Sequence, residues 1–347
     1  SVMGPLLADE VLTAFFLEAS FLGIMLFGWK RVGPGLHFFS TCMVAIGTLF
    51  SAFWILSANS WMQTPQGWAW AEDGTMVATN FMEVIFNPSL PSRFAHMVLA
   101  AYLTTAMVVA GASAFALLKK RALAESRVAL RMAVLMMALV TPVQIMAGHE
   151  SGIVAGHYQP AKVAALEGWW TTRTQQPTVL VGWPDEDAET NHFEIAIPGF
   201  GSTVNNAGPD VVLPGLDQFA EEDRPPVWLT FWAFRVMVGM GLVMLALGIW
   251  GAGAWALKRI DSATSYHRAL VLAAPSGFIA VLTGWITAEV GRQPYVVYGV
   301  LRTADAVSPV PAASVATSLL FFIVVYSIVF TAGALYILRL NTIEYTI

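Results

Sequence analysis

Apolar residues in this chain do not alternate with polar ones. They come in long runs, and the runs are separated by short polar breaks. Seven such runs cover residues 11–29, 36–59, 92–118, 133–147, 227–257, 269–290 and 313–338. Most are near or above the ~20 residues that a helix needs to cross a bilayer core; 133–147 is short unless it begins nearer Arg131. The pattern predicts an all-α polytopic membrane protein, a bundle of about seven transmembrane helices. One stretch, 149–226, interrupts it and is too long for an ordinary connection. Three parts are therefore expected: helices one to four in 1–147, a long external loop in 148–226, and helices five to seven in 227–347. Within the loop, residues 192–197 alternate like a strand, and 162–167 have the outline of a short amphipathic helix.

The charges give the bundle a direction. Lys30 and Arg31, Lys119, Lys120 and Arg121, Lys258 and Arg259, and Arg339 all fall at one end of the runs. Acidic residues gather at the other end, from Glu72 and Asp73 to Asp185–Asp187, Glu221 and Glu222. The positive-inside rule then puts the N-terminus and the long loop outside and the C-terminus in the cytoplasm. Composition agrees: 56% of residues are hydrophobic and 12% charged, about half the charged share of a soluble domain. Cys42 is the single cysteine, which excludes an internal disulfide, an iron–sulfur cluster and a covalently attached haem. The surroundings are a lipid bilayer, and no nucleic-acid partner is expected.

Chemistry is concentrated where polar residues enter apolar runs. Glu289 ends the sixth run, four residues after Trp285 and on the same helix face, with Gly291, Arg292 and Pro294 closing the helix. A carboxylate there is either a boundary group paired with Arg292 or a functional acid. Glu18 lies in the first run, roughly 12 Å deeper than Glu10 and about a quarter turn around the helix. Glu10 could equally be a surface acid beside Asp9. His96 opens the third run and Met237 lies in the fifth, both in the outer half of the bundle. A lone histidine or methionine is usually packing. A His/Met pair at one level is also a known axial set for low-spin haem, with Arg235 two residues away, in reach of a propionate.

The order of these residues resembles subunit I of the cytochrome bd-type quinol oxidases. The likeness is carried by Gly284-Trp285-Ile286-Thr287-Ala288-Glu289-Val290-Gly291-Arg292-Gln293-Pro294, by Phe15-Phe16-Leu17-Glu18-Ala19-Ser20-Phe21, by Trp54-Ile55-Leu56 with Asn59-Ser60-Trp61-Met62-Gln63, by Glu150-Ser151-Gly152 and by Phe234-Arg235-Val236-Met237. Two positions depart from the family pattern: His149 stands where an aspartate is usual, and Tyr295 where a tryptophan usually follows the proline. The long stretch resembles that of the short-loop, cyanide-insensitive-like branch. Family members carry two helices before the point at which this sequence starts, the first of them bringing a haem-ligating histidine.

The resemblance implies a respiratory enzyme that oxidises ubiquinol or menaquinol outside and reduces O₂ to water, building proton-motive force without pumping. It implies a low-spin haem b held by His96 and Met237, a high-spin haem b ligated by Glu289, and a third haem, d or a further b. Trp285 would bridge haems, and Arg235 and Arg292 would hold cofactor. Lys162 and Glu167 would serve quinol oxidation, Glu10 the oxygen-reducing haem and Glu18 the proton path to it. It also implies a second oxidase subunit, a small single-helix subunit, and a bacterial cytoplasmic (inner) membrane location. Two other classes fit the bare residues: a proton-coupled secondary transporter using Glu18, Glu289 and His96, and a haem-bearing relay without turnover. A transporter would be colourless, whereas an oxidase or relay would show a haem spectrum.

Overall fold

The computed structural model describes residues 2–205, 208, 210–307 and 309–340. The first span starts as α1 (Met3–Glu10), passes through a π-helical turn at Val11–Phe15 and continues as α2 (Phe16–Phe27). α3 (Pro34–Gln63) returns, and α4 (Phe81–Ile85) is a single turn in the next connection. α5 (Leu90–Leu118) and α6 (Leu123–Tyr158) follow as an antiparallel pair. The long connection holds α7 (Pro160–Glu167), a hairpin of strands Thr178–Asp185 and Thr190–Ile197, and α8 (Phe200–Val204). α9 (Val227–Ala256), α10 (Thr264–Ala273), α11 (Ser276–Val290) and α12 (Ala312–Leu340) complete the bundle. Seven helical stretches among the described residues are long and apolar enough to cross a membrane, α1–α2 and α10–α11 each counting as one.

Local chemistry explains the breaks. Proline at the first turn of α3, α5 and α7 gives up an N–H that would be unpaired there anyway. The Asn80 side chain caps α4 by accepting from the N–H groups of Met82 and Glu83. The run expected as one helix over 269–290 is two. Pro275 lacks the N–H needed to continue the α10 ladder, and a new helix starts at Ser276.

α6 departs furthest from expectation. It runs 36 residues, from Leu123 to Tyr158, where hydropathy marks only 133–147. At 1.5 Å per residue it is about 54 Å long, well beyond a hydrocarbon layer of ~30 Å. Its last turns therefore leave the apolar layer and accept His149, Glu150 and Ser151 without leaving the helix. The helix ends at Tyr158, and after Gln159 the chain turns into α7.

The core lies where α5, α6, α9 and α10 meet. Leu103, Met107, Leu130, Val134, Met137, Leu247, Tyr266 and Leu270 are buried there. Two smaller clusters lie at the end that carries the long connection. One packs Val163–Leu166 with Trp169, Trp170 and Leu216, and the other packs Leu6, Trp61, Val84 and Val297. The opposite, basic end has only tight turns, and Asp261 there accepts from Arg131 at 2.6 Å. α12 is different: every described side chain on it is exposed, and it is apolar all round.

α9 and α10 approach closely because Gly251 has no side chain. The Tyr266 hydroxyl occupies that gap and donates to the Leu247 carbonyl at 3.1 Å. A Cβ at residue 251 would press on this hydroxyl and lie 2.7 Å from Val134 Cγ1. Gly251→Ala is thus expected to destabilise the bundle by about 1–3 kcal/mol through overpacking. Thermal unfolding of the detergent-solubilised protein should show a lowered midpoint. Gly253→Ala, with open space around that position, should not lower it.

Candidate functional site

Glu289 stands in the last turn of α11 and is held on both oxygens. Oε1 accepts from Asn59 Nδ2 at 2.9 Å, and Oε2 accepts from the Arg292 guanidinium at 2.6 Å. Asn59, on α3, accepts in turn from Arg93 at the start of α5. One turn further along α3, the buried Gln63 donates to the Ala288 carbonyl at 3.3 Å and accepts from Lys162 Nζ at 2.5 Å. Gln159, just before α7, donates to the Gln63 carbonyl at 2.9 Å. The ends of α3, α5 and α11 and the start of α7 are thereby joined in one hydrogen-bonded layer.

Its charge is unbalanced. Arg93, Lys162 and Arg292 surround the single carboxylate of Glu289. Burial first, and then the repulsion of Arg93 and Arg292, hold the Lys162 ammonium well below the ordinary lysine range. Burial also lowers Arg292, opposed by Glu289. Arg93 Nε and Arg292 Nε and Nη1 are buried without a hydrogen-bond partner among the described residues. Guanidinium donors in that condition call for further acceptors.

Glu167 closes α7 on the other side of this layer. Gly168, at φ 73°, ends the helix in the left-handed conformation that favours glycine. All residues from Ala161 to Trp170 are buried, so the amphipathic helix expected over 162–167 is instead enclosed on all sides. Its surroundings are α9, α6 and the turn at Leu216–Gln218. Burial pushes the Glu167 carboxyl up to about 7, against the pull of Arg235. The nearest approach of the two side chains is 4.0 Å.

The Arg235 guanidinium works on backbone. It donates to the Leu166 carbonyl at 2.6 Å, the Phe231 carbonyl at 3.1 Å and the Glu167 carbonyl at 3.4 Å, and it also reaches the Val179 carbonyl. The Phe231 ring lies against it, 3.2 Å from the guanidinium carbon. One side chain of α9 thus ties down both α7 and the hairpin, two residues from Met237. Its Nε has no partner among the described residues.

His96 and Met237 each lie against a neighbouring helix. The His96 ring faces Gly148 of α6, and its Nε2 is 3.3 Å from the Gln144 amide. Its Nδ1 is buried and has no partner among the described residues. The Met237 sulfur faces Gly284 of α11. Trp285, next to Gly284, is 63% exposed, so within this chain it is a surface side chain.

Glu10 and Glu18 belong to a separate place, between the first span and α3. Glu10 Oε1 accepts from Ser51 at 2.8 Å. Glu18 packs on Gly47, and its Oε1 is buried without a partner among the described residues. Ser51 and Gly47 are four apart, so both acids face one stripe of α3. The quarter-turn separation read from the sequence assumed a regular α-helix. The π turn at Val11–Phe15 takes up one extra residue, which reduces the offset to roughly 20°.

Sequence reasoning singled out Glu289, Lys162 and Arg292, and the structure brings them together. It did not assign roles to Asn59, Gln63, Arg93, Gln144 or Gln159. The available signal was polarity: an amide or guanidinium in the last turns of an apolar helix needs a partner when buried.

The known proteins similar to this chain share one family. The model of the cytochrome bd terminal oxidase subunit I family matches residues 1–344. The chain is 34% identical over 339 residues to cytochrome bd ubiquinol oxidase subunit 1 of Bacillus subtilis (strain 168), covering 94% of this chain and 72% of that one. It is 30% identical to cytochrome bd-II ubiquinol oxidase subunit 1 of Escherichia coli (strain K12), covering 97% and 79%. The solved structure of bd oxidase from Geobacillus thermodenitrificans superposes with a TM-score of 0.87 at 31% identity, covering 97% of this chain and 77% of that one.

Arg235→Leu should loosen the loop without unfolding the bundle. Hydrogen bonds to a charged group contribute about 1.5–3 kcal/mol each. Losing even one should raise hydrogen–deuterium exchange across 160–182 by about tenfold or more. Peptides from α5 should exchange as before.

Proposed function

This chain belongs to the cytochrome bd terminal oxidase subunit I family, and from that membership we propose that it oxidises a quinol at the long connection and delivers the electrons to haem for reduction of O₂ to water. The observation that carries this reading is the layer that links Lys162 of the connection, through Gln63, to the backbone beside Glu289. It puts Lys162, proposed for quinol, and Glu289, proposed for haem, in one hydrogen-bonded unit.

The residues fit haem. Among the described residues no three His, Cys, Asp or Glu side chains converge. Isolated donors such as His96, Met237 and Glu289 suit an iron whose other ligands come from a macrocycle. The unpartnered guanidinium atoms of Arg93 and Arg292 suit the carboxylates of such a group. His96 and Met237 would hold a low-spin haem b and Glu289 a high-spin one, with a third haem, d or b, completing the oxygen site. When bound, haem supplies the electron acceptor and the iron at which oxygen is reduced. Trp285 would stand between haems.

The protein's own part at the quinol is proton handling. Glu167 Oε2 is buried and has no hydrogen bond among the described residues, so it is available to take a proton from a quinol hydroxyl. Lys162, held below its ordinary range, can donate to the headgroup oxygen with little charge to desolvate. Gln63 fixes where its Nζ points. At the other site, Glu18 would pass protons to Glu10 along the shared stripe of α3. With the basic turns in the cytoplasm and the connection outside, protons are released outside and consumed from inside, and no pump is needed.

The setting is the bacterial cytoplasmic membrane. The family implies a second oxidase subunit, and α12, apolar and exposed all round, requires lipid or protein around it. A small single-helix subunit could use the same face. The connection from 159 to 226, with the end of α6, would be the quinol-binding unit between the two groups of helices.

Two experiments test this on the full complex. His96→Ala and Met237→Leu should each remove the low-spin signal from the reduced-minus-oxidised spectrum and leave high-spin absorption in place. An unchanged low-spin signal in either variant rejects that ligand. In the second, quinol-dependent oxygen uptake is measured against pH. Glu167 accepts a proton only when ionised, so kcat/KM should rise with pH through an apparent pKa of about 7. Glu167→Gln should remove this limb and lower the rate about 10²-fold or more. A limb that survives in Glu167→Gln belongs to another group.

A further inference from the structure

Both residues proposed as ligands of the low-spin haem are backed by glycine. The Met237 sulfur on α9 lies against Gly284 of α11, where a Cβ would come within 2.8 Å of Sδ and 3.6 Å of Cγ. The His96 imidazole on α5 lies against Gly148 of α6, where a Cβ would come within 3.0 Å of Cε1 and 3.3 Å of Nδ1. The four helices differ, yet the device is the same. At each place a ligand side chain rests directly on the backbone of the next helix. Glycine inside a helix is unfavourable relative to alanine, so two helices forgo that gain opposite two proposed ligands.

We propose that Gly284 and Gly148 are positioning residues for Met237 and His96, each setting where the side chain that would hold the haem stands. The proposal rests on the reading of Met237 and His96 as ligands. Contact distance between non-bonded carbons is roughly 3.5–4.0 Å, so a methyl at either position intrudes on the ligand itself. At Gly284 the group that must give way is a methionine with three rotatable bonds, which is adaptable. The sulfur moves and the helices stay. At Gly148 the neighbour is a planar ring already flanked by Gln144, so it tilts by a smaller amount. The two substitutions should therefore differ in size, Gly284→Ala having the larger effect.

The experiment uses the complete oxidase with its partner subunit. Wild type, Gly284→Ala, Gly148→Ala, Met237→Leu and Gly253→Ala are compared by reduced-minus-oxidised and carbon monoxide difference spectra, at equal haem content by pyridine haemochrome. Gly253 lies on α9 with open space around it and reports the effect of an added methyl alone. Gly284→Ala should lose at least half of the low-spin signal, with a matching gain of carbon monoxide-reactive haem, because an iron that loses its methionine is open to that ligand. Gly148→Ala should shift or broaden the low-spin band with less than half of it lost. Gly253→Ala should match wild type.

A wild-type low-spin band in Gly284→Ala, with the band lost in Met237→Leu, overturns the proposal and leaves the ligand reading intact. A band retained in Met237→Leu overturns the ligand reading and the proposal with it. Parallel loss of low-spin and high-spin haem in Gly284→Ala also overturns it, because damage of that kind is not specific to one ligand.

Discussion

A guanidinium buried at the end of an apolar bundle needs a counter-charge, and the ion pair of Arg292 with the half-buried Glu289 is where this chain begins to supply it. Arg292 alone would be an uncompensated buried charge. Together they still leave two further cations, Arg93 and Lys162, to be accommodated. Asn59 and Gln63 do this by presenting amide oxygens to the cations and amide N–H groups to the carboxylate and to the backbone of α11. Asn59 thus serves both signs of charge, and Gln63 serves an amine and a backbone carbonyl. α3 carries both residues on one face, which is why the ends of α3, α5 and α11 meet at a fixed level.

Arg235 does for the long connection what this layer does for the helix ends. A segment of this length between two spans has a large conformational entropy to lose on ordering. One guanidinium bound to carbonyls of α7 and of the hairpin holds two parts of the segment to α9 at once. Glu167 is buried as a result, and its raised pKa follows from that burial. The chemistry proposed for the connection is therefore a product of how it is anchored. It could not arise in a solvated loop of the same sequence.

Much of the fold was legible because hydropathy reports membrane depth directly. All seven spans were found, and the strand over 192–197 was visible in its alternation. The end of α6 was missed because helical structure continues past the apolar layer, where hydropathy has nothing more to say. The break before Ser276 was missed because Pro275 lies within an apolar run. At the site, Glu289, Lys162 and Glu167 stood out by type and order. Asn59, Gln63 and Arg93 did not, since their partners lie between 34 and 230 positions away along the chain. A buried amide is conspicuous only once its neighbours are known.

The π turn at Val11–Phe15 has a consequence for how this region carries information. Glu10 and Glu18 face one stripe of α3 because of how many residues lie between them in that conformation. The identities of those residues hardly enter. Losing one apolar residue there would leave composition and hydropathy almost unchanged, yet it would turn Glu18 and everything after it in α2 by about 100° relative to Glu10 unless the π turn relaxed to an α turn. The register of these two acids is written in a count, so in this segment a gap in an alignment carries more structural meaning than a substitution.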